Sequence, residues 1–152
     1  MLRNQFQENL KVAMLGKDDL AVSTLRLIIA AMKDRDIAAR MKGNYDGIRE
    51  DEILSMLQSM IKQRQESIKM YEVGKRQDLA DREAGEIRII EGFLPKQLSE
   101  EEVKDVIEEM IRAVGATGLK DMGRVMNEMK TKYTGQLDFS KASGMVKERL
   151  AG

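Results

Sequence analysis

Apolar residues recur along this chain at spacings of three and four, the period of an amphipathic helix. Phe6, Leu10, Ala13 and Met14 fall on one stripe, which predicts a first helix over about residues 3–15 with Gly16 as its stop. Asp18 or Asp19 is placed to cap a second helix, whose apolar positions are Leu25, Ile28, Ile29 and Met32 and which continues to about Met41. Residues 42–47 are rich in Gly, Asn and Asp and predict a loop. Glu50, Asp51 and Glu52 then stand where a helix N-terminus favours negative charge. Ile53, Leu57, Met60, Ile61, Ile68 and Tyr71 carry a third helix to about Val73, where Gly74 interrupts it. A fourth is expected over about residues 78–94, along Leu79, Glu83, Ile87, Ile90 and Leu94.

Pro95 ends that helix, because it lacks a backbone donor and restricts Leu94. Ser99 followed by Glu102 reads as a capping box, opening a helix that buries Val103, Val106, Ile107, Met110, Ile111 and Val114. Residues 115–118 close it. A sixth helix is expected over about 119–133 on Met122, Val125, Met126 and Met129, and a seventh over about 140–150 on Ala142, Val146 and Leu150. Strand-like alternation occurs nowhere over four or more residues. The fold class is therefore all-α and multihelical. The single proline divides four helices from three, giving an N-terminal helical subdomain over 1–95 and a C-terminal three-helix subdomain over 96–152.

Composition narrows the chemistry. The chain has no His, Cys or Trp. That excludes a disulfide framework, a thiolate nucleophile, an imidazole metal ligand and a Ser–His–Asp triad. No G-x-x-x-x-G-K or G-x-G-x-x-G phosphate loop occurs. Carboxylate pairs such as Glu83/Glu86 and Glu101/Asp105 read as ordinary exposed-helix pairs, with no burial to tune them for acid–base work. No catalytic residue, cofactor or metal site is expected. The longest purely apolar run, Leu27 to Met32, is six residues, far short of the roughly 20 of a membrane span. The N-terminus has no apolar signal-peptide core, so the expected compartment is the cytoplasm.

The formal net charge is zero, but its distribution is uneven. Residues 1–95 are neutral. Residues 96–111 carry −4, from Glu100, Glu101, Glu102, Asp105, Glu108 and Glu109 against Lys96 and Lys104. Residues 112–152 carry +4. Lys120, Arg124, Asn127 and Thr131 share a polar helix face opposite the Met122/Val125/Met126/Met129 stripe. Such a face suits a phosphate backbone, and Lys120, Arg124, Lys130, Lys132, Lys141 and Lys147 are the candidate nucleic-acid contacts. The competing reading is a solvated surface, and the pI of about 6.4 is low for a self-sufficient nucleic-acid binder. Tyr133 and Phe139 are candidates for base stacking or for core. In the N-terminal half, Lys62, Arg64 and Lys69 are placed to pair with Asp78, Glu83 and Glu86 between helices.

Several strings, in order, resemble the GatB/YqeY family. They are Leu25-Arg26 with Ala30-Ala31-Met32-Lys33, Ile61-Lys62-Gln63-Arg64 with Glu66-Ser67, and Asp78-Leu79-Ala80 with Glu83 and Glu86-Ile87. They continue with Leu94-Pro95-Lys96-Gln97-Leu98-Ser99-Glu100-Glu101, Asp121-Met122-Gly123-Arg124-Val125-Met126, and Val146-Lys147-Glu148-Arg149-Leu150. The resemblance covers roughly residues 3–151 and is closest to a free-standing YqeY-like protein. It implies the two helical subdomains. It also implies kinship with the tail of the B subunit of the tRNA-dependent amidotransferase, the part that recognises tRNA. The partner it suggests is tRNA or a tRNA-handling complex, with no DNA and no membrane. Free-standing members carry a carbon–nitrogen ligase label with glutamine as amido-N-donor; this chain lacks the kinase-like domain, so that activity is not carried over. A third reading is a protein–protein adaptor using an apolar patch of the helical hairpins. One departure stands out. Members often read Ala-Asp-Gly before the last helix, whereas this chain has Leu137-Asp138-Phe139, so a turn or close approach resting on that Gly is in question.

Overall fold

A computed structural model describes residues 1–152. It contains seven α-helices, one 3-10 turn and no strand, so the all-α class holds. The helices are α1 Leu2–Leu15, α2 Asp19–Met41, α3 Glu50–Val73, α4 Gln77–Glu91, α5 Glu100–Val114, α6 Met122–Lys132 and α7 Phe139–Ala151. Two compact units divide the chain, Met1–Leu94 and Pro95–Gly152.

In the first unit, α3 and α4 form a long antiparallel hairpin with α1 and α2 packed beside it. Phe6, Ile28, Ile53, Met56, Leu57 and Ile90 are fully buried. The Phe6 and Phe93 rings meet edge to face with centroids 4.9 Å apart, the arrangement that puts a positive ring edge on a negative face. The outer end of the expected α1 stripe, Met14, is instead half exposed. Asp18 caps α2 by accepting from the Ala21 N–H at 3.1 Å. Helix α4 ends at Glu91 with Gly92 as its C-cap, three residues before Leu94 and ahead of the expected stop at Pro95, and Phe93 and Leu94 pack against the core as a turn.

A polar knot closes this unit. Arg3 donates to both Asp36 carboxylate oxygens, at 2.8 and 2.7 Å, and to the Ile48 carbonyl at 3.0 Å. Asp36 also accepts from the Ile48 N–H at 2.8 Å. The Arg3 hydrogen bonds hold the Asp36 carboxyl at about 2, below its usual 3.8. Gly47 is required here: its φ is +88°, and a Cβ would lie 2.6 Å from the Arg3 guanidinium.

In the second unit, Val106, Ile107, Met110, Val125, Met129, Leu137, Ala142 and Val146 form the core. Ser99 and Glu102 make the expected capping box, with both reciprocal hydrogen bonds at 3.1 Å. The sixth helix is shorter than its periodicity suggests. Leu119–Asp121 forms a 3-10 turn, and α6 proper starts at Met122. Tyr133 and Phe139 are half-buried against the core.

Candidate nucleic-acid interface

The six candidate cations lie on the 3-10 turn, α6 and α7 of the second unit, and all six are exposed. Helix geometry distributes them. At about 100° per residue, Arg124, Asn127 and Thr131 face away from the core on α6, with Lys120 on the turn just before. Lys130 and Lys132 fall on opposite flanks of α6. Lys141 and Lys147 diverge by about a third of a turn on α7. One face therefore holds Lys120 and Arg124 with two neutral polar neighbours, and the other four cations surround it rather than join it.

Partners differ as well. Arg124 donates to Asp121 at 2.6 Å, and Lys132 pairs with Glu128 at 3.3 Å. Lys120, Lys130, Lys141 and Lys147 have no carboxylate within ion-pair distance. Asp121 is the organising residue. It is buried, accepts from the Thr117 N–H at 2.8 Å and from Arg124, and so ties the 115–118 loop to the first turn of α6. The backbone bond from Thr117, then the Arg124 bond, hold its carboxyl at about 2. Arg124 is thus committed in part to the fold. The i, i+3 spacing of Asp121 and Arg124 is the signal that identifies this pair in the sequence.

The acidic helix belongs to the same unit. α5 packs against α6 and α7, and Glu108 on α5 pairs with Arg149 on α7. The Arg149 guanidinium lowers the Glu108 carboxyl below its usual range. A groove of about 650 Å³ runs between the start of α5 and α7, floored by Leu98, Val103, Leu137, Ala142 and Met145. Lys141 shares its rim with Glu100, Asp138 and Glu148. The turn entering α7 does not depend on position 139. Gly135 supplies the left-handed residue (φ +80°), while Asp138 caps α7 by accepting from the Ser140 N–H at 2.9 Å. The Leu98 N–H donates to the Gln136 carbonyl at 2.8 Å and Gln97 donates to the Gly135 carbonyl, fastening residues 97–98 to that turn.

In the first unit, one expectation is corrected. Glu83 and Glu86 are not an ordinary exposed pair. Glu86 is buried, and burial, then the Glu86 charge, push the Glu83 carboxyl upward. Both face Arg64, which donates to Glu86 at 3.1 Å and lies 4.0 Å from Glu83. The side chains of Arg64 and Glu86 are 12% and 9% exposed. Of the expected inter-helix pairs this one forms; Asp78 pairs with Arg76 instead.

The fold and the surface define a two-unit, all-α protein with a polar, cation-bearing face on its smaller unit. No helix is long and apolar enough to cross a membrane. The chain belongs to the Yqey-like protein family, whose model matches residues 3–150. It is similar to "Altered inheritance of mitochondria protein 41, mitochondrial" of Kluyveromyces lactis, 32% identical over 57% of this chain and 45% of that protein. The protein of the same name from Vanderwaltozyma polyspora is 34% identical over 58% of this chain and 45% of its own length. That from Clavispora lusitaniae is 27% identical over 76% of this chain and 65% of its own. The chain spans about half the length of the first of these curated relatives.

Proposed function

We propose that the chain is a non-catalytic module that binds tRNA, or a tRNA-handling complex, through the second unit. The observation that carries this reading is that Lys120, Lys130, Lys141 and Lys147 are exposed and lack carboxylate partners, while the acids of the unit concentrate on α5. Arg124 stands beside Lys120 although its buried Asp121 partner holds it in part, and Lys132 borders that face, its exposed pair with Glu128 being worth little and readily exchanged for a phosphate. Asn127 and Thr131 offer neutral hydrogen-bonding groups next to Arg124. Phosphate contacts of this kind position an RNA without reading its sequence. Membership of the Yqey-like family, with its likeness to the amidotransferase tail, supports the same choice of ligand. The cytoplasm is the location that accompanies this reading.

The test is tRNA affinity across a salt series. Affinity falls as salt rises, and changing the four lysines to Ala reduces the log–log slope by about 3. Absence of binding at low salt, or an unchanged slope, overturns the reading. Supplied with Glu-tRNA, glutamine and ATP, the chain alone yields no Gln-tRNA; turnover would favour the carbon–nitrogen ligase reading.

A further inference from the structure

Helix α2 has a second apolar row besides the one in the core. Leu25, Ile28, Ile29 and Met32 are buried. On the outward side, Leu27, Ala30, Ile37 and Met41 are all exposed, at 47%, 58% and 86% for Leu27, Ile37 and Met41. A helix with one buried face carries polar residues there. With Asp34 between Ala30 and Ile37, the row repeats at alternating steps of three and four, the seam of a helix pair. Arg26, Lys33 and Arg40 recur every seven residues along one flank, exposed and without a carboxylate at ion-pair distance. Arg40 feels Asp36, which is itself held by Arg3. The other flank carries Ala31 and Ala38, small enough for a second backbone to approach.

We propose that this face of α2 docks an amphipathic helix of a partner protein that is acidic along the flank meeting Arg26, Lys33 and Arg40. A Lys or Arg of that helix lies opposite Asp34 and sets the register, as a lone polar seam residue does. Charge selects this occupant. In a parallel pair of α2 copies Asp34 would meet Asp34, and in an antiparallel pair the basic row would meet itself, so a second copy is repelled. A lipid surface would draw the Asp34 carboxylate into the acyl boundary along with its apolar neighbours, at a desolvation cost. RNA has no use for the apolar row.

The experiment titrates the intact chain with two synthetic helical peptides. Each has Leu along its seam and one Lys opposite Asp34; one has Glu on its flank and the other Lys. The acidic peptide binds about tenfold more tightly, the difference that three exposed ion pairs make. Binding weakens with salt and shifts the backbone amides of α2 in NMR spectra. Ile37→Glu, at an exposed site and checked for unchanged helicity, abolishes binding. The Arg26→Glu/Lys33→Glu/Arg40→Glu variant inverts the preference. Four results overturn the proposal: neither peptide binds; both bind equally; sedimentation shows self-association that Ile37→Glu removes; or phosphatidylserine vesicles bind the chain in an Ile37-dependent way.

Discussion

The two units use their charge differently. In the first, the strongest pairs run between elements and are partly enclosed: Arg64 with Glu86 across the α3/α4 hairpin, and Arg3 with Asp36 where α1, α2 and the α3 entry meet. In the second, Asp121 takes up part of Arg124, and Lys120, Lys130, Lys141 and Lys147 are among the lysines left facing water. The cores differ too. The first closes on an aromatic pair with Leu, Ile and Met, whereas the second is richest in Val, with Ile, Met and Leu, and has its aromatic rings half-buried at the edge. The lesson is that the smaller unit leaves charge free among polar neighbours, which suits phosphate. In the larger unit, the unpaired Arg26, Lys33 and Arg40 flank an apolar row on α2, which suits a helix.

The comparison breaks most readily at the cores. Phe6→Ala costs about 3–5 kcal/mol, read by chemical denaturation and by hydrogen exchange of the α1–α4 amides. Met129→Ala gives the corresponding loss in the α5–α7 amides, smaller because a flexible Met leaves a site that collapses more easily. A larger loss at Met129 than at Phe6 contradicts the contrast between the cores. Next comes the enclosed pair. Arg64→Met leaves two carboxylates facing each other in a half-dry site and costs about 3 kcal/mol, while Arg64→Met with Glu86→Leu recovers most of it. A double variant no better than the single one shows that the pair is not what the hairpin depends on.

Smaller effects follow from titration. Asp36 and Asp121 hold their protons less tightly folded than unfolded, both near 2 against a usual 3.8. Their contribution is complete above the unfolded value and drains away as pH falls toward 2. Glu83 runs the other way. Its raised value means a contribution present below the unfolded value and lost as pH rises through the folded one. Asp36→Asn and Asp121→Asn therefore each flatten the acid limb of a stability–pH curve, and Glu83→Gln removes the opposing slope. At the small end, Ala at Lys120, Lys130, Lys141 or Lys147 shifts stability by no more than about 0.5 kcal/mol each, since none has a partner to lose.

Much of the fold was legible because its signals are local. The Ser99/Glu102 box, the Asp18 cap and the three-four periodicity each involve residues within a turn or two of each other, whereas the expected stop at Pro95 comes too late, the helix ending at Glu91 on Gly92. What was hidden is long-range. Nothing near Arg3 points to Asp36, and nothing near Glu108 points to Arg149; packing brings these together. The Arg64–Glu86 pair was legible, but not the packing between the two helices that buries it. The 3-10 turn before α6 escaped notice because periodicity alone does not register Asp121 turning inward to Thr117. The candidate cations were legible as a charge imbalance in sequence, but not their scatter around α6 and α7. The outward row on α2 was masked by the stronger core stripe of the same helix, although its seven-residue spacing is present in the sequence.

The central claim is that the free lysines of the second unit, and not the basic row of α2, are the surface for RNA. It is tested most directly by measuring tRNA affinity against salt for two variants side by side. Lys120, Lys130, Lys141 and Lys147 changed to Ala lowers affinity and reduces the slope by about 3. Arg26, Lys33 and Arg40 changed to Ala leaves both as they are in the unchanged chain. A loss confined to the α2 variant, or an equal loss in both, contradicts the account.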